Sequence, residues 1–195
     1  VGDTPLIDVL RASGALKDGH FLLASGRHSD RYVEKFDLLR NPAATSEACR
    51  RIAARFALER IDVVAGPTTG GIILAFETAR QLGVEAAYAE RASDGSSRRE
   101  FRRGATFRPG SRVLVVDDIL TTGGSVRETL AALADQPVDV IGISVLVDRS
   151  GGAVEFGVPL FPLAQLAIDT WAAEDCPLCA RGVALVKPGT TAAKA

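Results

Sequence analysis

Residues 113–125 read VLVVDDILTTGGS, and few sequences of this length constrain a fold as tightly. Four buried-type residues come first, then two adjacent acids, two more apolar residues, and a run of small hydroxylated and glycine residues. The apolar start fits a strand covered on both faces, because parallel strands read as continuous Val/Ile/Leu runs. The small residues fit the turn into a helix, expected over Ser125 to Ala134. A strand feeding a helix through glycines implies an α/β sheet whose ligands bind where loops leave the carboxyl ends of the strands. Thr121, Thr122, Gly123, Gly124 and Ser125 offer hydroxyls and open backbone N–H groups at a helix N-terminus. The helix dipole favours an anion there by about 0.3–1 kcal/mol, which suits a phosphate. Asp117 and Asp118 would repel that phosphate unless they face sugar hydroxyls or a metal ion. No GK[ST] follows, so the loop is not a Walker A element and nucleotide hydrolysis is not indicated.

The rest of the chain repeats the pattern. Thr4 to Ala12 has apolar residues at helical spacing. Asn41 and Pro42 read as an N-cap and first helical position, opening an amphipathic run to Arg60. Short strands are expected at Ile61 to Ala65, Glu85 to Tyr88, Arg112 to Val116 and Val138 to Val147, with a helix over Ile72 to Gln81. The fold class is therefore α/β, with a mostly parallel central sheet flanked by helices. The glycine-rich loop Gly66 to Gly71 should converge with the one after Asp118. A length of 195 residues suits one domain, and Pro188 to Ala195 reads as a polar tail.

A net charge of −1 and a pI near 6.2 argue against a nucleic-acid binder. The longest apolar runs, Ile141 to Val147 and Val158 to Ile168, fall short of the roughly 20 residues that span a bilayer. Asp3, Pro5 and Asp8 spoil a secretory leader, and three cysteines cannot all pair within one chain, so a soluble cytoplasmic protein is expected.

The stretch VLVVDDILTTGGS resembles the phosphoribosyl pyrophosphate (PRPP) motif of type I phosphoribosyltransferases. Gly19 to Asp37, GHFLLASGRHSDRYVEKFD, resembles the hood of the orotate phosphoribosyltransferases, and Val147 to Gly152, VDRSGG, their orotate-contacting segment. The closing CPLC is similar to a tail of some bacterial members. The resemblance implies one domain over residues 1–195, with a hood at about 1–40 plus the C-terminal segment and a core at about 41–150. It implies transfer of a phosphoribosyl group from PRPP to orotate with loss of pyrophosphate, in the route to UMP, with Mg²⁺ bound mainly through the pyrophosphate.

By matching position, Asp117, Asp118, Ile119, Leu120, Thr121, Thr122, Gly123, Gly124 and Ser125 would hold the ribose and its 5-phosphate. Thr69 and Gly70 would lie in the pyrophosphate loop, and Thr121, Arg149 and Tyr32 would contact orotate. Arg149 also makes sense alone, since a base bearing a carboxylate calls for a forked cationic donor. A homodimer is implied, with the polar, arginine-rich loop at residues 90–103 closing over the pyrophosphate, in trans in many relatives. The catalytic set is Asp117, Asp118 and Arg91.

The chain departs from the family pattern. The loop has no lysine or histidine, Ala24 stands where many relatives carry a basic residue, and Thr69 and Gly70 replace an aromatic and lysine pair. Arg91 is the positional substitute for the missing loop cation, and the loop's other reading is a solvated charge run. His20 and His28 read as structural or surface residues, and Trp171 as packing. Cys176 and Cys179 form one CxxC, which alone lacks the four ligands of a structural zinc site. Packing, a site shared across a dimer and redox chemistry remain open for it, in that order, and no residue is assigned as a metal ligand. The rival functions are transfer to a purine or other base, and a non-catalytic PRPP-binding regulator.

Overall fold

A computed structural model describes residues 5–23 and 25–188, so Ala24 and most of the polar tail lie outside the described residues. In chain order the elements are α1 (Leu6–Ala12), β1 (Leu16–Leu22), β2 (His28–Val33), α2 (Lys35–Leu39), α3 (Pro42–Phe56), β3 (Val63–Pro67), α4 (Gly70–Leu82) and β4 (Glu85–Arg91). They continue with β5 (Arg99–Phe101), β6 (Ser111–Leu120), α5 (Gly124–Ala134), β7 (Val138–Asp148), β8 (Leu160–Gln165), β9 (Thr170–Trp171) and α6 (Pro177–Ala180).

The main sheet has the order β5-β4-β3-β6-β7-β8. All neighbours are parallel except the edge pair β4–β5. From β3 the chain moves through α4 toward one edge, then returns with β6 and moves through α5 toward the other. The direction of winding therefore switches between β3 and β6, the place where open α/β sheets bind ligands. Two-residue alternation covers both faces. Val64, Leu114, Val116 and Leu146 join the core packed by α1, α3 and α4, while Val63, Ala65, Val113, Val115, Ile143 and Val145 join the core under α5. The hood is a separate antiparallel sheet, β1-β2-β9, in which the C-terminal segment adds a strand to the N-terminal hairpin.

Asn41 caps α3 as expected, its Oδ1 accepting from Ala44 N at 3.2 Å with Pro42 at the first helical position. The helix stops at Phe56 rather than Arg60. Phe56 is its last buried residue, sitting edge-on to Phe161, while Leu58 is 95% exposed, so a further turn would bury nothing. Strands β3 and β4 run further than expected, because Gly66 and Pro67 still pair with Tyr88 and Ala89. The largest difference is β6, which continues through both aspartates to Leu120 because β7 runs beside it as far as Asp148. The segment 90–103 is not an open loop either. Arg91 pairs with Arg99 across an antiparallel hairpin whose tip is residues 92–98.

Candidate active site

Because Asp117 and Asp118 lie within a strand, they point to opposite faces of the sheet. Both are buried, at 5% and 4% exposure. Asp117 faces α5. Its Oδ2 accepts the Ser125 hydroxyl at 2.5 Å, and its Oδ1 accepts the backbone N–H of Asp118 at 2.8 Å. Burial, then repulsion from Asp118, push the Asp117 carboxyl above the ordinary carboxylate range, and the Ser125 hydroxyl only partly offsets them. Asp118 faces α4 and α2. The Lys35 ammonium stands 2.9 Å from its Oδ2, close enough for an ion pair but off the line of a hydrogen bond, so this buried oxygen accepts none. Gly70 is required there, since a Cβ on it would land on Asp118 Oδ2.

The two glycine loops meet at the switch point. Thr69 is exposed at the N-cap of α4, and Gly70 and Gly71 form its first turn. Across from them, Thr121, Thr122 and Gly124 are exposed at the start of α5. Gly123 caps α5 with φ of 80°, and a Cβ there would also strike Val154 and Phe156. Ile119 and Leu120 set the spacing between acids and loop. Leu120 is packed in the core and its carbonyl accepts from Arg149 N at 2.8 Å, while Ile119 N donates to Asp118 Oδ1 at 2.7 Å.

That backbone bond brings Arg149 beside the turn that opens α5. Its guanidinium is half-buried, and its buried Nε has no hydrogen-bond partner among the described residues. Burial weakens its hold on the proton, opposed by the nearby Tyr32 phenol. Tyr32 stands against Phe21 with ring centroids 5.8 Å apart, and burial, then Glu34, raise its phenol, while Arg149 pulls the other way. The structure therefore brings Asp117, Asp118, Thr121 to Ser125, Thr69, Gly70, Arg149 and Tyr32 to one end of the sheet.

Arg91 is exposed on β4 and forms no ion pair among the described residues. Its fellow arginines are engaged locally: Arg98 with Asp94, Arg102 with Glu100, and Arg103 with Glu90. Arg99 is buried, donating to Glu128 Oε2, Thr68 Oγ1 and the Ala89 carbonyl at 3.0 Å each, which ties the loop before α4 to α5. Neither Lys35 nor Arg99 carries a local signal in the sequence. Each matters through a residue far along the chain. The same holds for His20, His28, Cys176 and Cys179, which converge in the hood.

The family model for the phosphoribosyl transferase domain matches residues 37–156. An orotate phosphoribosyltransferase of Pelotomaculum thermopropionicum is 46% identical over 185 residues, covering 95% of this chain and 96% of that one. Another, from Caldanaerobacter subterraneus subsp. tengcongensis, is 44% identical over the same shares. Among solved structures, the orotate phosphoribosyltransferase of Aeropyrum pernix superposes with a TM-score of 0.70 at 32% identity, over 83% of this chain and 93% of that one.

Proposed function

The chain belongs to the phosphoribosyl transferase family, among its orotate phosphoribosyltransferases, and from that premise we propose how its own residues divide the work. The enzyme joins orotate to the phosphoribosyl group of PRPP and releases pyrophosphate. A bond forms from a ring nitrogen of the base to the anomeric carbon as the bond from that carbon to pyrophosphate breaks, its electron pair leaving with the pyrophosphate and the base losing its nitrogen-bound proton. Positive charge grows on the ribose on the way, as in other glycosyl transfers. Asp117 and Asp118, both buried near the end of β6, hold the sugar hydroxyls and offset that charge. The 5-phosphate lies on the amides and hydroxyls of Thr121 to Ser125, and the pyrophosphate on Thr69, Gly70 and Arg91.

Orotate lies between Tyr32 and Arg149. The observation that carries this placement is the unpartnered, buried Nε of Arg149, a donor held out of water with nothing of the protein to bond. A carboxylate supplies the missing acceptor, and the guanidinium fork fits it in two places. Mg²⁺ fits the same site. Asp118 presents a buried oxygen whose one close partner is the Lys35 ammonium, which would have to yield to the ion, while Asp117 stays on the other face with Ser125. Held there and by pyrophosphate oxygens, the ion would neutralise the leaving group.

The working unit is a homodimer. Ile73 and Phe76 on α4 and Phe36 on α2 are exposed apolar side chains, and a second copy would cover them, with the 92–98 tip reaching the neighbouring pyrophosphate. Three free thiols suit a reducing, cytoplasmic setting, and no helix among the described residues is long and apolar enough to cross a membrane. Incubation with PRPP, Mg²⁺ and a panel of bases, following pyrophosphate release, tests the base. Release with orotate alone is expected, and release with a purine but not orotate would overturn the reading.

A further inference from the structure

At the first residue of β2, away from Tyr32, four metal-ligating side chains that the transfer reaction does not use come together. His20, His28, Cys176 and Cys179 each present one donor atom, and the four atoms lie within 4.8 Å of one another. The first three are buried and Cys179 is exposed, which leaves a route for an ion to enter. Cys176 caps the single turn of α6 and Cys179 lies within it, so both sulfurs come from one short segment, while the hood hairpin supplies both imidazoles.

The protons can be placed from chemistry. The Val183 carbonyl only accepts, so His20 Nδ1, 2.8 Å away, carries the hydrogen and Nε2 presents a lone pair. Around that lone pair stand His28 Nδ1 at 3.0 Å, Cys176 Sγ at 3.4 Å and Cys179 Sγ at 3.8 Å, and Cys179 Sγ is also 3.3 Å from His28 Nδ1. As a hydrogen-bonded cluster this is wasteful, with several donors crowding one acceptor. Around a cation it is economical. Zn²⁺ with bonds of about 2.05 Å to nitrogen and about 2.3 Å to sulfur has tetrahedral edges of about 3.3 Å between nitrogens and about 3.6 Å between nitrogen and sulfur. The observed separations straddle these values within a few tenths of an ångström. The Val183 carbonyl then plays the outer partner that fixes a ligating imidazole's tautomer and tilt.

We propose that His20 Nε2, His28 Nδ1, Cys176 Sγ and Cys179 Sγ form a structural zinc site contained within one chain. Binding turns two thiols into thiolates and releases two protons, so the ion and its ligands sum to zero charge, which suits a largely buried position. Two imidazoles and two thiolates in a tetrahedron select Zn²⁺ over hard, octahedral ions such as Mg²⁺. The site clips the C-terminal segment to the hood, where Leu22 N donates to Val186 O and Val186 N to His20 O, both at 2.8 Å. It thereby anchors the strand that carries Tyr32.

The test is elemental analysis of the full chain, purified and desalted with a thiol reductant, followed by Co²⁺ exchange and visible spectroscopy. About one zinc per chain is expected, with Co²⁺ giving the intense bands of a tetrahedral, thiolate-ligated site. The Cys176→Ser/Cys179→Ser double variant should lose the metal and melt at lower temperature. Should that variant fold poorly, Cys179→His keeps four ligands, and its Co²⁺ spectrum should lose part of the sulfur charge-transfer intensity. Reduced protein that neither carries nor takes up Zn²⁺ or Co²⁺ overturns the proposal. So does metal that stays in the folded double variant, or a Co²⁺ spectrum indifferent to Cys179→His.

Discussion

The sugar end and the base end of the proposed site are built in different ways. The sugar end comes from consecutive residues: β6 delivers Asp117 and Asp118, and the turn after it delivers the phosphate cradle. The base end is assembled from a hairpin near the N-terminus, carrying Tyr32, and a segment after β7, carrying Arg149. The first is held by the most deeply buried strands of the sheet, the second by a small three-stranded hood pinned to the C-terminal segment. An end made of contiguous residues at the close of a buried strand suits the invariant part of the reaction. An end made by apposing two distant pieces can change its ligand without disturbing the chemistry.

That contrast can be broken by experiment. The Asp117→Asn/Asp118→Asn double variant should lower kcat on the order of 10²-fold, the cost of losing an electrostatic stabiliser, with the KM for orotate little changed. Steady-state kinetics decides, and near-normal turnover would remove the acids from the mechanism. Arg149→Ala should instead act on orotate affinity, raising its KM by about tenfold to a hundredfold as a charge-assisted pair worth about 1.5–3 kcal/mol is lost. Arg149→Lys should recover only part of this, because an ammonium lacks the fork. A fall in kcat at constant KM would merge the two ends. Away from both, Asn41→Ala should cost about 1 kcal/mol of stability by removing the α3 cap, read as a lower melting temperature with unchanged kinetics.

The smallest effect concerns pH. Asp117 has a raised carboxyl in the folded protein, so the folded state holds its proton more tightly than the unfolded chain does. Ionisation at neutral pH therefore costs stability, and the cost fades as pH falls through the folded value toward the unfolded one near 4. The melting temperature of Asp117→Asn relative to the parent, without substrate, should be more favourable at pH 8 than at pH 5. An unchanged difference across that range would mean the carboxyl is not raised.

How much could be read in advance follows the same division. The fold class, the α3 cap and the convergence of the glycine loops were legible, because each depends on local periodicity or on chain-order rules for parallel sheets. The strand character of the acids was not. Asp has poor strand propensity, and only pairing with β7 extends β6 through them, which sends the two carboxylates to opposite faces. The 90–103 segment looked like a free cationic loop because sequence counts charges but not partners, and in the fold most of its arginines are engaged. Lys35 on Asp118, Arg99 on Glu128, and the histidines facing the CxxC all join residues remote along the chain, and no spacing rule reaches that far.

The place of β6 has a bearing on synthesis. As the ribosome makes this protein, β3 is complete long before residues 111–120 exist, yet β6 is its partner on one side. Until then the nascent chain holds out a bare, fully apolar strand margin, the kind of surface that recruits other unfinished chains. Truncation just ahead of residue 111 should yield insoluble material, whereas chains that run on through β7 gain both the central pairing and the strand that carries the two acids.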